Sequence, residues 1–454
     1  MKIQTHKHSP IAFVELLKAC AMKKDLHEGV RLHAHILEHH GLLQKSPHIA
    51  TTLISMYAKC GAIQKAHQLF RELPARDVVS WNALIAGYAQ HGQIREAFNL
   101  LERMRNDGIS PNPITLTSAL KACGSSGSIG KGQQIHDEIV ARGFLEKNII
   151  VLGNALVGMY AKCGMLAEAQ QMLERLPIRD VVSWSALIAG YSEQGHGNQA
   201  LSCLDEMQKE GIMPNEITFV CVLKACHSIG AIEKGKQIHN EIASMGLLKK
   251  SVMLGNALVD LYAKCGILAK AQEVLEELPI RDIISWNTLI TGYAQQGQVQ
   301  QALNNFEHMQ SEGLSPDHIT FLSLLSACNH LGLLDEAQML FKNMSGKYRI
   351  TLNFEHQTCM VMVLGCAGNF ESAMSLIKVM PCDYTSGWLA LLAACRKWGH
   401  VKLGRVAFEQ VVQLDSHCAA AYALMASIFV AAGMKEEAQK VKSIEAEICC
   451  LSLV

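Results

Sequence analysis

The sequence is poor in aromatic residues, at 6%, and carries no excess charge: Lys plus Arg and Asp plus Glu both number 41, beside 20 histidines. This is not the strongly basic balance of a general phosphate binder, although a neutral molecule can still present one basic face. No apolar run reaches the roughly 18 residues of a membrane span. The first ten residues, MKIQTHKHSP, lack the apolar core of a secretory signal, and no Arg- and Ser-rich, acid-poor transit peptide is visible. Repeat-like sequence begins near Pro10, so a presequence is expected to be missing from this chain or never to have existed. The period-two alternation of a surface strand is absent. Sheet, membrane-spanning and secreted classes are therefore all disfavoured.

What the chain has instead is repetition. DVVSWNALIAGYAQHG begins at Asp77, DVVSWSALIAGYSEQG at Asp180 and DIISWNTLITGYAQQG at Asp282; Trp81, Trp184 and Trp286 stand 103 and 102 residues apart. A fixed period makes the chain an array in which function resides in what varies between copies, and it argues against a single catalytic pocket. Each period holds three helix pairs. In residues 78–112 an apolar helical face covers 79–90, HGQ makes a turn, and a second helix runs from about Ile94 to Asp107. Gly108 takes the left-handed C-cap position and Pro111 blocks continuation. Units at about 113–149 and 150–180 repeat the plan, and related units extend from Pro10 to about Cys450, thirteen pairs in all. A lone pair cannot bury its apolar faces, whereas stacked pairs share a continuous core, so the expected fold is an all-α, right-handed superhelical solenoid of helix-turn-helix repeats.

Sixteen cysteines are many for 454 residues, but Cys60, Cys163 and Cys265 recur in AKCG, and Cys20, Cys123 and Cys226 in KAC. Such placement reads as small apolar residues of a helix seam rather than bridges or metal ligands. The three recurring tryptophans read as packing anchors rather than base-stacking platforms. A zinc deaminase would need HxE followed by PCxxC. HxE occurs at His136 and again at His239, one repeat period away, and Pro381-Cys382 is followed by Asp383, Tyr384 and Thr385. The glycines Gly130, Gly132 and Gly235 beside lysine lack a Walker spacing and fall at helix starts. His67, His91 and His308 are read as solvated. No catalytic residue, cofactor, metal or small-molecule substrate is expected, and the chain is not read as an enzyme.

The alternating unit lengths, with SWNALIAGYAQHG, YAKCG and LPIRD, resemble the plant pentatricopeptide repeat proteins. More narrowly they resemble the subclass with three alternating repeat types, called PLS. LLAACRKWG and AAYALMASIFVAAGMKEEAQKVKSI are similar to that subclass's E-type extension. The resemblance implies a short segment 1–9, a repeat array over 10–384, an extension over 385–450 and a tail over 451–454. The ending ICCLSLV does not resemble the family's usual continuation into a DYW deaminase-like domain, and reads as an alternative exon end, a frameshift or a truncated gene.

By resemblance, such a protein binds single-stranded organellar RNA one base per repeat, in mitochondrion or chloroplast. Its subclass mostly selects sites of cytidine-to-uridine editing, here with the deaminase, or another editing factor, supplied in trans. The resemblance places the readers at the fifth and last residues of each repeat: Thr51 with Asp77, Asn82 with Asn112, Asn154 with Asp180, Ser185 with Asn215, Asn256 with Asp282, and Asn287 with Asp317. It implies G, C or U, U, A, U and U in that order, with unread places at the long units of Thr117, Val220 and Leu322. The side-chain chemistry agrees, since each of these types can donate to or accept from a Watson–Crick edge. The simpler reading is that Asn and Asp merely cap helices, and a cap role in addition is expected for Asp77, Asp180 and Asp282. The second residues of units, such as Val79, Val182 and Ile284, are candidates either to sandwich bases or to be buried in the seam. Alternatives to editing are stabilisation or processing of a transcript, or a protein–protein scaffold.

Overall fold

The computed structural model describes residues 10–38, 46–380 and 385–451, and among these every regular element is an α-helix. The segment 1–9, the Pro381-Cys382 step and residues 452–454 lie outside the described residues. The described residues form two compact units, one ending at Ile229 and one beginning at Gly230. Among the described residues no helix is long and apolar enough to cross a membrane.

Within each unit the first helix of a repeat packs against its own second helix and against the first helix of the next repeat. Helix Val78–Gln90 shows how the sequence dictates this. Asp77 caps it with a reciprocal capping box to Ser80, and Trp81, Leu84, Ile85 and Tyr88 are buried. Partner helix Ile94–Asn106 is amphipathic and buries Ala97, Leu100, Leu101 and Met104. The chain then turns at Gly108, whose φ of 76° is a left-handed conformation that a side chain disfavours. Two of the three lysine-adjacent glycines, Gly132 and Gly235, are packing sites, while Gly130 faces open space. A Cβ at Gly132 would stand 2.5 Å from Met159 Sδ, and one at Gly235 would stand 2.7 Å from Leu261 Cδ2. That crowding leaves no phosphate cradle at either place.

One boundary departs from expectation. The third unit of the first copy was expected to open at Ile150, but a single helix runs Phe144–Lys162 straight through that point. The equivalent helices in the other copies are Pro47–Lys59, opened by proline, and Val252–Lys264, capped by the Ser251 side chain. Neither device stands before Ile150, so the helix extends backwards by one and a half turns.

The recurring histidines have a structural role. His33, His67, His136 and His239 each place Nδ1 within 2.6–2.9 Å of a tyrosine hydroxyl on the next first helix, namely Tyr57, Tyr88, Tyr160 and Tyr262. In the two remaining equivalent places Gln170 and Gln272 accept from Tyr191 and Tyr293 at 2.7 Å. The HxE histidines thus serve as inter-repeat clamps. His67, expected in solvent, is half-buried in such a clamp, and His91 donates through Nε2 to the Ala58 carbonyl at 2.7 Å. A short segment of sequence shows a polar helix face, not what the next repeat lays against it. His308 is exposed, as expected.

Burial lowers the pKa of all four clamp histidines below the usual imidazole value. The unfolded chain therefore takes up protons near pH 6.5 that the folded chain resists. Stability is fully present above pH 6.5 and declines as pH falls toward the lowered folded values. We expect the urea midpoint to fall between pH 7.5 and 5.5. His136→Gln with His239→Gln, which copy the native Gln–Tyr clamps, should flatten that slope; an unchanged slope would remove these histidines from the explanation.

The cysteines behave as seam residues. None of those described forms a disulfide. Cys60 Sγ and Cys163 Sγ donate weakly to the Cys20 and Cys123 carbonyls at 3.8 and 3.7 Å. Burial pushes the Cys123 and Cys203 thiols up to about 12, which keeps them neutral and unreactive.

Candidate nucleic-acid interface

The six last residues, Asp77, Asn112, Asp180, Asn215, Asp282 and Asp317, are all N-caps with capping boxes. Capping and base reading do not compete, because the cap occupies only part of each side chain. At Asp317 the backbone N–H of Thr320 and Nδ2 of Asn287 donate to Oδ1, both at 2.9 Å, and the Thr320 hydroxyl oxygen lies 3.0 Å from the same atom. Oδ2 is left open. Asp282 repeats the pattern on Oδ1 with Ser285 and Asn256. Burial alone would push both carboxyls up, but these hydrogen bonds outweigh it and hold both below the ordinary carboxylate range. Each therefore presents one ionised, acceptor-only oxygen. At Asn112 and Asn215 the cap likewise uses Oδ1, so the side that remains is an Nδ2 donor.

The fifth residues lie beside these caps. Asn82, Asn154, Asn256 and Asn287 donate through Nδ2 to Asn112, Asp180, Asp282 and Asp317 at 2.9–3.2 Å. Ser185 reaches its cap Asn215 through Thr218, whose hydroxyl lies 2.6 Å from Ser185 Oγ and 2.9 Å from Asn215 Oδ1. Thr51 instead donates to the Pro47 carbonyl at 2.9 Å and makes no hydrogen bond with Asp77. Five of the six pairs are thus joined, directly or through one hydroxyl. At the long units Thr117 is turned onto Pro113, and Val220 and Leu322 are half-buried apolar residues.

The second residues settle outside the seam. Val79, Ile114, Val182, Ile217, Ile284 and Ile319 are 45–62% exposed, although each is β-branched and apolar. Ile284 and Ile319 stand on neighbouring repeats and, with Asn287 and Asp317 between them, line a recess of about 240 Å³ that Lys264 and Asp260 also border. The arrangement is two apolar walls, a polar floor with an unused acceptor, and at the rim a Lys264–Asp260 ion pair at 3.0 Å. A flat ring can lie between such walls with its hydrogen-bonding edge on the floor. The tryptophans take no part in it: Trp81, Trp184 and Trp286 are 0, 3 and 5% exposed.

Comparison with known proteins decides the family. A model described as PPR repeat family matches residues 76–125, 179–228 and 281–330, and a PPR repeat model matches 49–78, 154–181, 319–348 and 358–383. The chain belongs to the pentatricopeptide repeat family. Among curated relatives in Arabidopsis thaliana, the pentatricopeptide repeat-containing protein At4g33990 is 35% identical over 96% of this chain and 52% of its own length. The putative pentatricopeptide repeat-containing protein At3g13770, mitochondrial, is 35% identical over 94% of this chain and 68% of its own. The pentatricopeptide repeat-containing protein At3g57430, chloroplastic, is 32% identical over 94% and 49%. The chain thus spans from half to two thirds of the length of these relatives. Among solved structures, the pentatricopeptide repeat protein PPR10 in complex with an 18-nt psaJ RNA element aligns with a TM-score of 0.72 at 19% identity, over 98% of this chain and 69% of that one. That likeness shows the pentatricopeptide repeat fold.

Proposed function

We propose that this chain binds single-stranded RNA base by base and acts by binding rather than catalysis. The observation that carries the reading is the recess at Asn287 and Asp317 and the recurrence of its residue pattern: exposed apolar second residues, and a fifth-residue side chain that in five of six units is joined to a last residue with one hydrogen-bonding atom unused. An Asp in that last place offers an acceptor, which suits uridine N3–H or guanine N1–H. An Asn offers a donor, which suits cytosine N3 or adenine N1. A short Ser or Thr at the fifth place leaves space for a purine, whereas Asn suits a pyrimidine. The units from Pro47 onward then read G, C or U, unread, U, A, unread, U, U. A protein–protein scaffold would have no reason to keep these types in these two places. PPR10, crystallised with an RNA element, supplies the like fold that makes RNA the natural occupant.

The finer reading is that the bound transcript lies in a mitochondrion or chloroplast and carries a cytidine to be edited by a partner deaminase. The mitochondrial and chloroplastic names of relatives support the compartment. The resemblance of residues 385–450 to an E-type extension, following a PLS array over 10–384, supports the editing role. Equilibrium binding to a short RNA carrying the pattern and to the same bases scrambled tests the primary reading. At least a tenfold preference for the matched RNA is expected, weakening for both as salt rises. Equal affinities would reject base reading, and loss of the recognised transcript without any change in its editing, in plants lacking the protein, would favour stabilisation. Asn287→Ser with Asp317 kept should move that unit from U towards G.

A further inference from the structure

The reading amides are oriented by hydroxyls that belong to the next repeat. Thr115 Oγ1 donates to Asn82 Oδ1 at 2.5 Å, Ser285 Oγ to Asn256 Oδ1 at 2.6 Å and Thr320 Oγ1 to Asn287 Oδ1 at 2.6 Å. All three donors occupy the third residue of their repeat, where each also serves the cap. Chemistry fixes the sense of these amides. Asp282 and Asp317 are ionised and can only accept, so the Asn nitrogen must face them and the Asn oxygen must face the hydroxyl. With Oδ1 engaged and one Nδ2 hydrogen on the cap, only the second Nδ2 hydrogen remains to meet a base.

The unit of Asn154 is built differently. Ser183 stands in the corresponding place, but its hydroxyl donates to the Asp180 carbonyl at 2.9 Å. Asn154 Nδ2 is shared between both Asp180 oxygens at 3.0 Å, and Asn154 Oδ1 is buried without a partner. Ser80 behaves like Ser183, donating to the Asp77 carbonyl at 2.7 Å and leaving Thr51 unheld. Thr115, Thr218 and Thr320 all reach back to the preceding reader, whereas among Ser80, Ser183 and Ser285 only Ser285 does. A β-branched side chain has fewer χ1 rotamers open to it, which accounts for the greater constancy of threonine. Where the long units carry Thr117, Val220 or Leu322, the third residue of the following repeat is Leu152, Leu254 or His356, none of them a hydroxyl. The hydroxyl therefore accompanies only polar readers that the family pattern assigns.

We propose that the third-residue hydroxyl of the following repeat is a positioning residue for base recognition, locking the reader of the preceding repeat into one orientation. On this proposal Thr115, Thr218, Ser285 and Thr320 hold their readers, and the reader Asn154 is left unlocked. The proposal rests on the base-reading function above, so its test includes a measurement that needs no RNA. In protein with ¹⁵N-labelled asparagine, the Asn287 side-chain amide pair should be sharp and become exchange-broadened in Thr320→Val, while Thr320→Ser keeps it sharp. The Asn154 pair should be broad in the native chain and sharpen in Ser183→Thr, a variant that adds one methyl and removes no bond needed for folding. With RNA, Thr320→Val should reduce pyrimidine-over-purine preference at the Asn287 unit about fivefold and leave the Asn256 unit unchanged, and Ser183→Thr should raise the preference at the Asn154 unit about as much. A Thr320→Val protein that weakens every RNA equally with the Asn287 amide unchanged, or a Ser183→Thr protein that alters neither amide nor preference, overturns the proposal. If the native chain shows no base preference at these units while the amide contrasts hold, base reading fails and the orienting role stands.

Discussion

Asp317→Asn is expected to turn one unit of the array from uridine towards cytidine. In the native recess Asp317 spends Oδ1 on Thr320 and Asn287 and keeps Oδ2 open, with the carboxyl held ionised. Uridine brings an N3–H to that edge and cytosine brings a bare N3. An ionised acceptor facing N3–H makes a charge-assisted bond, whereas facing a lone pair it is left unpaired in a half-buried place. Such differences are on the order of 1.5–3 kcal/mol, or roughly tenfold to a hundredfold in affinity. The asparagine variant reverses the polarity with little risk to the fold, because Asn112 and Asn215 already cap the equivalent helices with the same box. Binding of both proteins to two RNAs that differ only by U or C at this register measures the effect. If both retain the same U-to-C ratio, the last residue is only a cap. Because hydrogen bonds hold the Asp317 carboxyl below the ordinary carboxylate range, modest acidification should not by itself change the U-to-C ratio.

The largest stability loss is expected from Trp286→Ala, at about 3–5 kcal/mol by analogy with aromatic truncations in packed cores. Trp286 is nearly enclosed, and its Nε1 donates to Glu312 Oε2 at 2.9 Å, while Glu312 also pairs with Arg281 at 2.6 Å. The second copy is built alike: Trp184 bonds Glu210 at 3.0 Å and Glu210 pairs with Arg179 at 2.9 Å. In the first copy Asp107 stands in the glutamate's place, one methylene short. Trp81 Nε1 is there buried without a partner, and Arg76 lies over the Phe70 ring at 5.3 Å instead. Replacing tryptophan by phenylalanine should therefore cost more at 184 and 286 than at 81, where there is no indole hydrogen bond to lose. Asp107→Glu should in turn stabilise the chain by about 0.5–1.5 kcal/mol. Denaturant unfolding followed by circular dichroism checks all of these, and equal costs for the three phenylalanine variants would contradict the proposed role of the acidic partner.

These variants separate two kinds of information in the chain. The helix pairs, the glycine turn at Gly108, the helix caps at Asp77, Asp180 and Asp282, and the burial of the three tryptophans were all legible in the sequence. They follow from local rules: apolar spacing of 3.6, oxygen-bearing side chains before a helix, glycine where φ is positive. The third unit of the first copy was misjudged at Ile150 because nothing local stops the helix from beginning earlier, at Phe144. His67 was misjudged because a polar residue on a helix surface does not announce the tyrosine that another repeat will bring to it, whereas His91 is exposed as expected.

The sequence by itself determined that this is an array of helix pairs and which residue types stand at the variable places, and it marked the helix ends wherever a local cap or breaker stands. Only the tertiary structure decided that Val79, Val182 and Ile284 are exposed rather than packed in the seam, and which atoms of the fifth-residue side chains are hydrogen-bonded. It also decided that the Ser285 hydroxyl bonds Asn256 while that of Ser183, the same residue in the same frame, bonds the Asp180 carbonyl. The physical reason is range. Helix propensity and capping act over three or four residues, whereas a side-chain rotamer in the recess answers to partners 26–33 residues away. Those partners become neighbours only when one repeat is stacked on the next.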